Sequence, residues 1–312
     1  MRVFLAGATG AVGRPLVPML VEAGHEVVGT TRSERKAAEI RAAGAEAAIV
    51  DVLDSEALRA AVNEARPDVV INELTSLPHA LDFRDSETLA ATNRLRREVG
   101  PELALMAAEA GAKRLIAQSV SFFYAPVGDP IKTEDAPLVK LPPGSPMGGG
   151  PPALKALEES TLGTRGVDGL VLRYGYFYGP GTYYSREGSS AADVRRRRFP
   201  IVGKGTGVFS FIHVDDAAAA TVAAVERGAP GIYNVTDDEP APMSEWLPVY
   251  AQALGARPPR RVPVWLARLV AGRDAAALAT TLRGASNEKA KRELGWTPKY
   301  PSWRQGFREG LG

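Results

Sequence analysis

Through the first 235 residues, short apolar runs alternate with longer stretches whose apolar positions recur about every 3.6 residues. Arg2 to Ala6 (RVFLA) reads as a buried strand, and Ala11 to Ala23 as the amphipathic helix that follows it. The alternation continues with a strand at Glu26 to Thr31, a helix at Ser33 to Ala43 closed by Gly44, and a strand at Ala47 to Val52. A helix at Ser55 to Ala65, capped by Asp54 or Ser55, leads to a strand at Asp68 to Asn72. Helical segments run from about Ser86 to Ala110, with a break at Pro101, before a strand at Lys113 to Ser119. The pattern resumes with a helix at Ala153 to Thr164, a strand at Leu170 to Tyr174, a helix at Val214 to Arg227 and a strand at Gly231 to Val235. This order predicts an α/β chain with a doubly wound parallel sheet, whose ligand sits at the carboxyl ends of the strands. Residues 7–13, 31–33, 51–54, 73–79 and 119–125 fall at that edge. Residues 125–152 interrupt the pattern with eight prolines and the run Gly148-Gly149-Gly150, as a functional loop does. The first domain is therefore expected over residues 1–174, its sheet completed by about 211–235, with 175–210 and 236–312 forming a smaller C-terminal substrate lobe.

Composition narrows the function. The 312 residues hold 38 Lys and Arg against 36 Asp and Glu, a net charge of +2, which gives no electrostatic basis for nucleic-acid or membrane binding. The one basic cluster, Arg195 to Arg198, reads as a solvated face or a grip on an anionic ligand. No cysteine is present, so disulfides, a thiol nucleophile and thiolate metal sites are excluded, and His25, His79 and His213 share no metal-ligand spacing. No apolar run reaches the length of a membrane span, and the N-terminus reads as the first strand and not a leader. A cytoplasmic protein acting on a small molecule is expected, without a metal.

The first candidate chemistry lies at Gly7, Gly10 and Gly13, where the first strand turns into the first helix. A turn without side chains lets the backbone approach a pyrophosphate, and the free N–H groups and dipole of the helix start stabilise its charge. The spacing is G-x-x-G-x-x-G. Downstream come LVLRYGYFYGPGT at 170–182, FIHVDDAAAA at 211–220, GIYNV at 231–235 and NEKAKRELGWTPKY at 287–300. In this order the segments resemble the short-chain dehydrogenase/reductase superfamily, in its extended or atypical, epimerase/dehydratase-like branch. The resemblance implies a Rossmann fold and a bound dinucleotide. It implies cofactor contacts at Gly7, Thr9, Gly10, Ala11, Val12, Gly13, Thr31, Arg32, Ser33, Asp51, Val52, Leu74, Lys155, Tyr174 and Phe177. The second strand ends in TTRSERK, without the acid that receives the ribose hydroxyls of NAD; Arg32 instead offers a planar cation, with Arg35 and Lys36 nearby, so the expected cofactor is NADP. By analogy the chain is a monomer, or a homodimer through the helices at about 86–110 and 153–164.

The superfamily's catalytic signature, Tyr-x-x-x-Lys, is incomplete. Lys155 suits the lysine because Glu159 follows it by four, yet the residue four before it is Pro151, and no tyrosine occurs between Tyr124 and Tyr174. Three explanations stand side by side: a proton donor from elsewhere, among Tyr124, Tyr176 and Tyr178; a reduction without the usual proton relay; or a nucleotide-binding redox sensor without turnover. Ser119 and Ser121 are candidates to hold the reacting oxygen, by resemblance, and Asn93 matches an Asn of the family's helix. Phe209 and Ser210 stand where nucleotide-sugar members carry Arg-Asp, and the lobe is rich in aromatic residues (Phe122, Phe123, Tyr183, Tyr184, Phe209, Trp246, Trp265), which favours a lipophilic or aromatic substrate. The resulting expectation is an NADP-dependent oxidoreductase acting on a carbonyl or alcohol of a small organic molecule, with an epimerase or dehydratase as the alternative enzyme class.

Overall fold

Seven parallel strands form the centre of the computed structural model, which describes residues 1–82 and 84–312. They are β1 (Arg2–Ala6), β2 (Glu26–Thr31), β3 (Glu46–Ile49), β4 (Val69–Asn72), β5 (Arg114–Val120), β6 (Asp168–Tyr174) and β7 (Gly231–Val235). Their order across the sheet is β7-β6-β5-β4-β1-β2-β3, so the direction of winding reverses between β1 and β4, and every neighbouring pair is parallel. A sheet covered on both faces asks for apolar residues on both, and β1 supplies them: Val3 and Leu5 face one core, Phe4 and Ala6 the other. Helices Gly13–Glu22 and Val214–Glu226 cover the first face, Ser55–Ala65 and Gly100–Glu109 the second.

Strands β2 and β7 and helix Ser55–Ala65 have the bounds the pattern predicts, with Asp54 capping that helix by accepting from the Ala57 N–H. Other bounds shift, as in β3, which runs over Glu46–Ile49 and not Ala47 to Val52, and two helical segments continue or begin differently. The predicted break at Pro101 is absent: a 3-10 turn (Ser86–Leu89), a short helix (Ala90–Arg94), a π-turn (Leu95–Val99) and the helix Gly100–Glu109 follow one another, because a proline in the first turn lacks only an N–H that has no helical partner there. The helix expected from Ala153 begins at Gly150, with Pro151 and Pro152 in its first turn for the same reason.

A second apolar cluster lies beyond the carboxyl edge. It joins Tyr178, Phe209 and Phe211 to Trp246 and Tyr250 of helix Met243–Ala253 and to Trp303 and Phe307 of helix Trp303–Glu309. The Arg261–Val262 strand pairs with Ile201–Val202, so distant segments of the chain close this lobe.

Candidate functional site

At the point where the winding reverses, the carboxyl ends of β1, β2 and β4 enclose a cleft of ≈ 330 Å³. Gly7 holds its floor at φ +98, and a Cβ there would lie 2.7 Å from the Glu73 carbonyl oxygen, so only glycine fits. The Gly7 N–H donates to Thr30 Oγ1 at 3.1 Å and the Gly10 N–H to the Gly7 carbonyl at 3.0 Å, which folds the loop tightly over the start of helix Gly13–Glu22. Gly13 is buried against the backbone of Gly7 and Ala8, with no room for a Cβ. A loop of this shape, ahead of a helix N-terminus, fits the pyrophosphate of a dinucleotide.

Of the residues named from the sequence, Gly7, Thr9, Gly10, Thr31, Arg32, Asp51, Val52 and Leu74 line this cleft. Arg32 is exposed at its rim and has no carboxylate partner among the described residues, while Lys36 lines the same wall. The Ser33 N–H donates to Thr31 Oγ1 at 3.2 Å. Asp51 accepts from the Leu53 N–H at 3.1 Å and turns the chain after β3. Ala11, Val12 and Gly13 shape the loop without lining the cleft; Val12 packs in the core of the sheet's first face. Phe177 packs against Tyr174, ring centroids 5.3 Å apart.

The structure does not bring Lys155 to the cleft. Its side chain is 69% exposed on the outer face of helix Gly150–Gly163, 3.6 Å from Glu159, which is equally exposed. Gly150, Leu154 and Glu158 are buried at a spacing of four, whereas Lys155 and Glu159, one residue further on, are exposed. Glu158 fixes that register. It is buried, pairs twice with Arg173 at 2.8 and 2.6 Å, and accepts from Ser119 Oγ at 2.6 Å. A carboxylate with these partners has its hydration replaced by a guanidinium and a hydroxyl, whereas Glu159 finds only water and a lysine. In the register that Glu158 sets, the two preceding positions at that spacing are thus a leucine and a glycine, neither of which can move a proton.

Of the remaining catalytic candidates, Ser119, Ser121 and Tyr124 have hydrogen-bond partners within the fold, while the Tyr178 hydroxyl is buried without one. Ser119 is spent on Glu158, and Ser121 Oγ donates to the Tyr174 carbonyl at 3.2 Å. Tyr124 is buried, donates to Asn234 Oδ1 at 2.6 Å and accepts from Arg173 at 3.0 Å; burial pushes its phenol up. Tyr178 is buried among Phe211, His213 and Phe307 with its hydroxyl against Gly306, and burial raises its phenol far beyond the ordinary value. Tyr176 stacks on Phe122 at 4.4 Å and is likewise pushed up by burial. Of the aromatic residues proposed for the substrate, Phe123, Tyr184, Phe209 and Trp246 belong to the cores, Phe122 and Tyr183 are half-buried, and Trp265 is exposed. Arg195 and Arg197 at the basic cluster donate to the carbonyls of Arg186 and Pro258 on the lobe surface. Asn93 is buried beside Gly149, with Arg96 at 3.5 Å.

Sequence reasoning missed Glu73. Its carboxyl is buried behind the cleft wall, Oε1 accepts from the Tyr174 hydroxyl at 3.0 Å, and desolvation pushes it up to about 8. An acid directly after the buried strand VVIN, in DVVINEL, was the available signal. Among the described residues no group of three or more His, Asp or Glu could hold a metal, and no helix is long and apolar enough to cross a membrane.

Known proteins share this architecture. A "3-diazoavenalumate denitrifying reductase" of a Streptomyces species is 46% identical over 307 residues, 98% of this chain and 99% of that protein. The UDP-glucose 4-epimerase of Thermus thermophilus, solved with NAD, superposes with a TM-score of 0.73 at 24% identity, over 100% of this chain and 98% of the other. A human epimerase family protein, solved with NADPH, gives 0.74 at 19% identity, over 100% and 99%. The last two show the shared fold. Residues 3–236, which contain the glycine loop, the seven strands apart from Arg2 of β1, and the cleft between them, match the NAD dependent epimerase/dehydratase family, and the chain belongs to it.

Proposed function

We propose that the cleft holds NADP(H) and that the chain is a reductase of small organic molecules whose hydride acceptor needs no proton from the usual helix. Its cofactor contacts are the loop Gly7 to Gly13 for the pyrophosphate, Arg32 with Lys36 for the 2′-phosphate, and Asp51 with Val52 at the adenine end. Arg32 supports the choice of phosphate ester, being an exposed guanidinium at the cleft rim with no carboxylate partner among the described residues. When bound, NADPH supplies a hydride.

One observation carries the reading of the chemistry: counted back by fours from the buried Glu158, helix Gly150–Gly163 offers Leu154 and Gly150, and the hydroxyls of Ser119, Ser121 and Tyr124 are committed to buried partners. Reduction of a carbonyl needs a proton at oxygen as well as hydride at carbon, so this wall suits it poorly. A diazonium carbon has no such need. It gains a C–H bond, its C–N bond breaks, the bonding electrons leave with N₂, and the positive charge of the substrate cancels the hydride. The Streptomyces relative is named for a diazo compound and for denitrifying reduction, which points to a diazo-substituted carboxylate as the substrate class here. Half-buried Phe122, Tyr176 and Tyr183 would give such a molecule an apolar wall.

The test is to mix the protein with NADPH and an aryl diazonium carboxylate, following 340 nm absorbance and N₂ release. One N₂ per NADPH is expected, with no turnover of simple ketones. Ketone reduction without diazo turnover would return the assignment to carbonyl chemistry. Tight NADPH binding without turnover of either would make the chain a sensor.

A further inference from the structure

Glu73 is an acid where the cofactor's phosphates call for none. It follows β4 directly, its N–H donates to the Ala6 carbonyl at 2.8 Å, and its own carbonyl oxygen is the atom that forbids a side chain at Gly7. Glu73 is 4% exposed. Oε1 meets the Tyr174 hydroxyl at 3.0 Å, that hydroxyl lies 2.6 Å from Thr221 Oγ1, and Thr221 donates to the Ala217 carbonyl at 2.8 Å. Oε2 is buried without a hydrogen-bond partner, and no cation lies within ion-pair distance among the described residues. A buried carboxylate needs a cation or several donors to replace its water, whereas an uncharged carboxylic acid does not.

The proton also orders the chain of hydroxyls. Tyr174 stands as a donor to a carboxylate at Glu73; with Glu73 protonated, Thr221 gives its hydrogen to Ala217, Tyr174 gives its own to Thr221, and the Tyr174 oxygen accepts from the acid in place of that donation. An ionised Glu73 instead demands the Tyr174 hydrogen and turns Thr221 away from Ala217.

We propose that Glu73 serves the nucleotide site as a neutral acid, so that the dinucleotide is held while the carboxyl keeps its proton and is released when the proton is lost. This rests on the reading of the cleft as the cofactor site. Negative charge beneath the glycine loop would oppose the pyrophosphate through little intervening solvent. The surroundings offer no compensation. The glycine loop presents no titratable group before the exposed Arg14, and the buried face of helix Val214–Glu226 beside the carboxyl presents Thr221 and alanines. From β6 the neighbour is Tyr174, itself raised by burial. At the start of that helix, Asp216 is bound to the Lys299 and Tyr300 N–H groups and Asp215 to His213. On the cleft walls Arg94 is paired with Glu98, and Arg32 and Lys36 lie at the rim opposite. Burial holds the carboxyl in its acid form up to a pH of about 8, so the break falls within reach of experiment.

NADPH affinity would be read by its fluorescence on the intact protein from pH 7 to 9.5, where the 2′-phosphate is already ionised. The expected dissociation constant rises by about 30-fold across that range in the native protein and stays flat in Glu73→Gln, which keeps the shape of the neutral acid. At pH 8, calorimetry in buffers of different ionisation enthalpy would show uptake of about half a proton per NADPH. Tyr174→Phe removes the hydrogen bond that eases ionisation, so its break moves to higher pH. NADPH binding that ignores pH in the native protein, or that falls equally in Glu73→Gln, overturns the proposal. Absence of NADPH and NADH binding at every pH removes the cofactor reading and this inference together.

Discussion

Two residues three apart on helix Gly150–Gly163 should answer very differently to removal. Lys155→Ala deletes one member of an exposed i,i+4 pair whose charges are 3.6 Å apart with side chains 69% and 68% exposed. Such a pair contributes about 0.3–0.5 kcal/mol, so stability should change by no more than that. Glu158→Ala removes a carboxylate 7% exposed and leaves the Arg173 guanidinium, 5% exposed, without its charge partner. Stranding a buried charge costs about 3–5 kcal/mol, a large share of the roughly 5–15 kcal/mol that holds a domain together. The loss also strips the acceptor from Ser119, adding about 1 kcal/mol. Urea unfolding followed by tryptophan fluorescence would separate the two variants by a shift in midpoint at constant slope. The double change Glu158→Leu with Arg173→Met should recover much of the loss, because apolar residues of similar size need no pairing. NADPH titration of Lys155→Ala completes the test. If that variant keeps its midpoint but loses NADPH binding tenfold or more, Lys155 reaches the cofactor and the register Gly150, Leu154, Glu158 is wrong.

Further outcomes follow from the same geometry. Tyr124→Phe and Tyr178→Phe should each keep turnover within about tenfold, whereas loss of a general acid costs about 100-fold or more; steady-state kinetics on the accepted substrate decides. Tyr124→Phe should still lose about 1–3 kcal/mol in urea, since the Asn234 and Arg173 bonds go with the hydroxyl. Arg32→Ala should weaken NADPH by about 10- to 100-fold and leave NADH nearly unchanged, and equal weakening of both would refute the 2′-phosphate assignment. Gly13→Ala should abolish binding of both nucleotides, because its Cβ meets the Gly7 and Ala8 backbone. The ligand-free protein should lose stability as pH rises from 4.5, where Glu73 ionises in the unfolded chain, to about 8, where it ionises in the folded one, because the folded state then holds one more proton. Glu73→Gln should remove that slope from a pH series of melting temperatures.

The layered fold was legible because strands buried on both faces must be apolar throughout and helices on one face only, and those two periods differ enough to be read by eye in β1, β2 and β7. The glycine loop was legible for a similar reason: the turn from β1 into the following helix brings backbone so close to Gly7 and Gly13 that neither position admits a side chain. Arg32 could be found from the charge at the end of β2 alone. Local pattern could not decide between Glu158 and Glu159. Both stand on one helix, one residue apart, and only the arrival of Arg173 from β6 and Ser119 from β5 makes one a buried anchor and the other a surface charge. The same holds for Tyr124 and Tyr178, whose hydroxyls looked available until Asn234 and Gly306, more than a hundred residues away in sequence, filled the space around them. Glu73 is the clearest case. An acid at a strand end is ordinary in sequence, and what makes it a neutral acid behind the nucleotide cleft is the set of groups three other segments fail to offer it, since no property of one residue records the cations that tertiary packing leaves out.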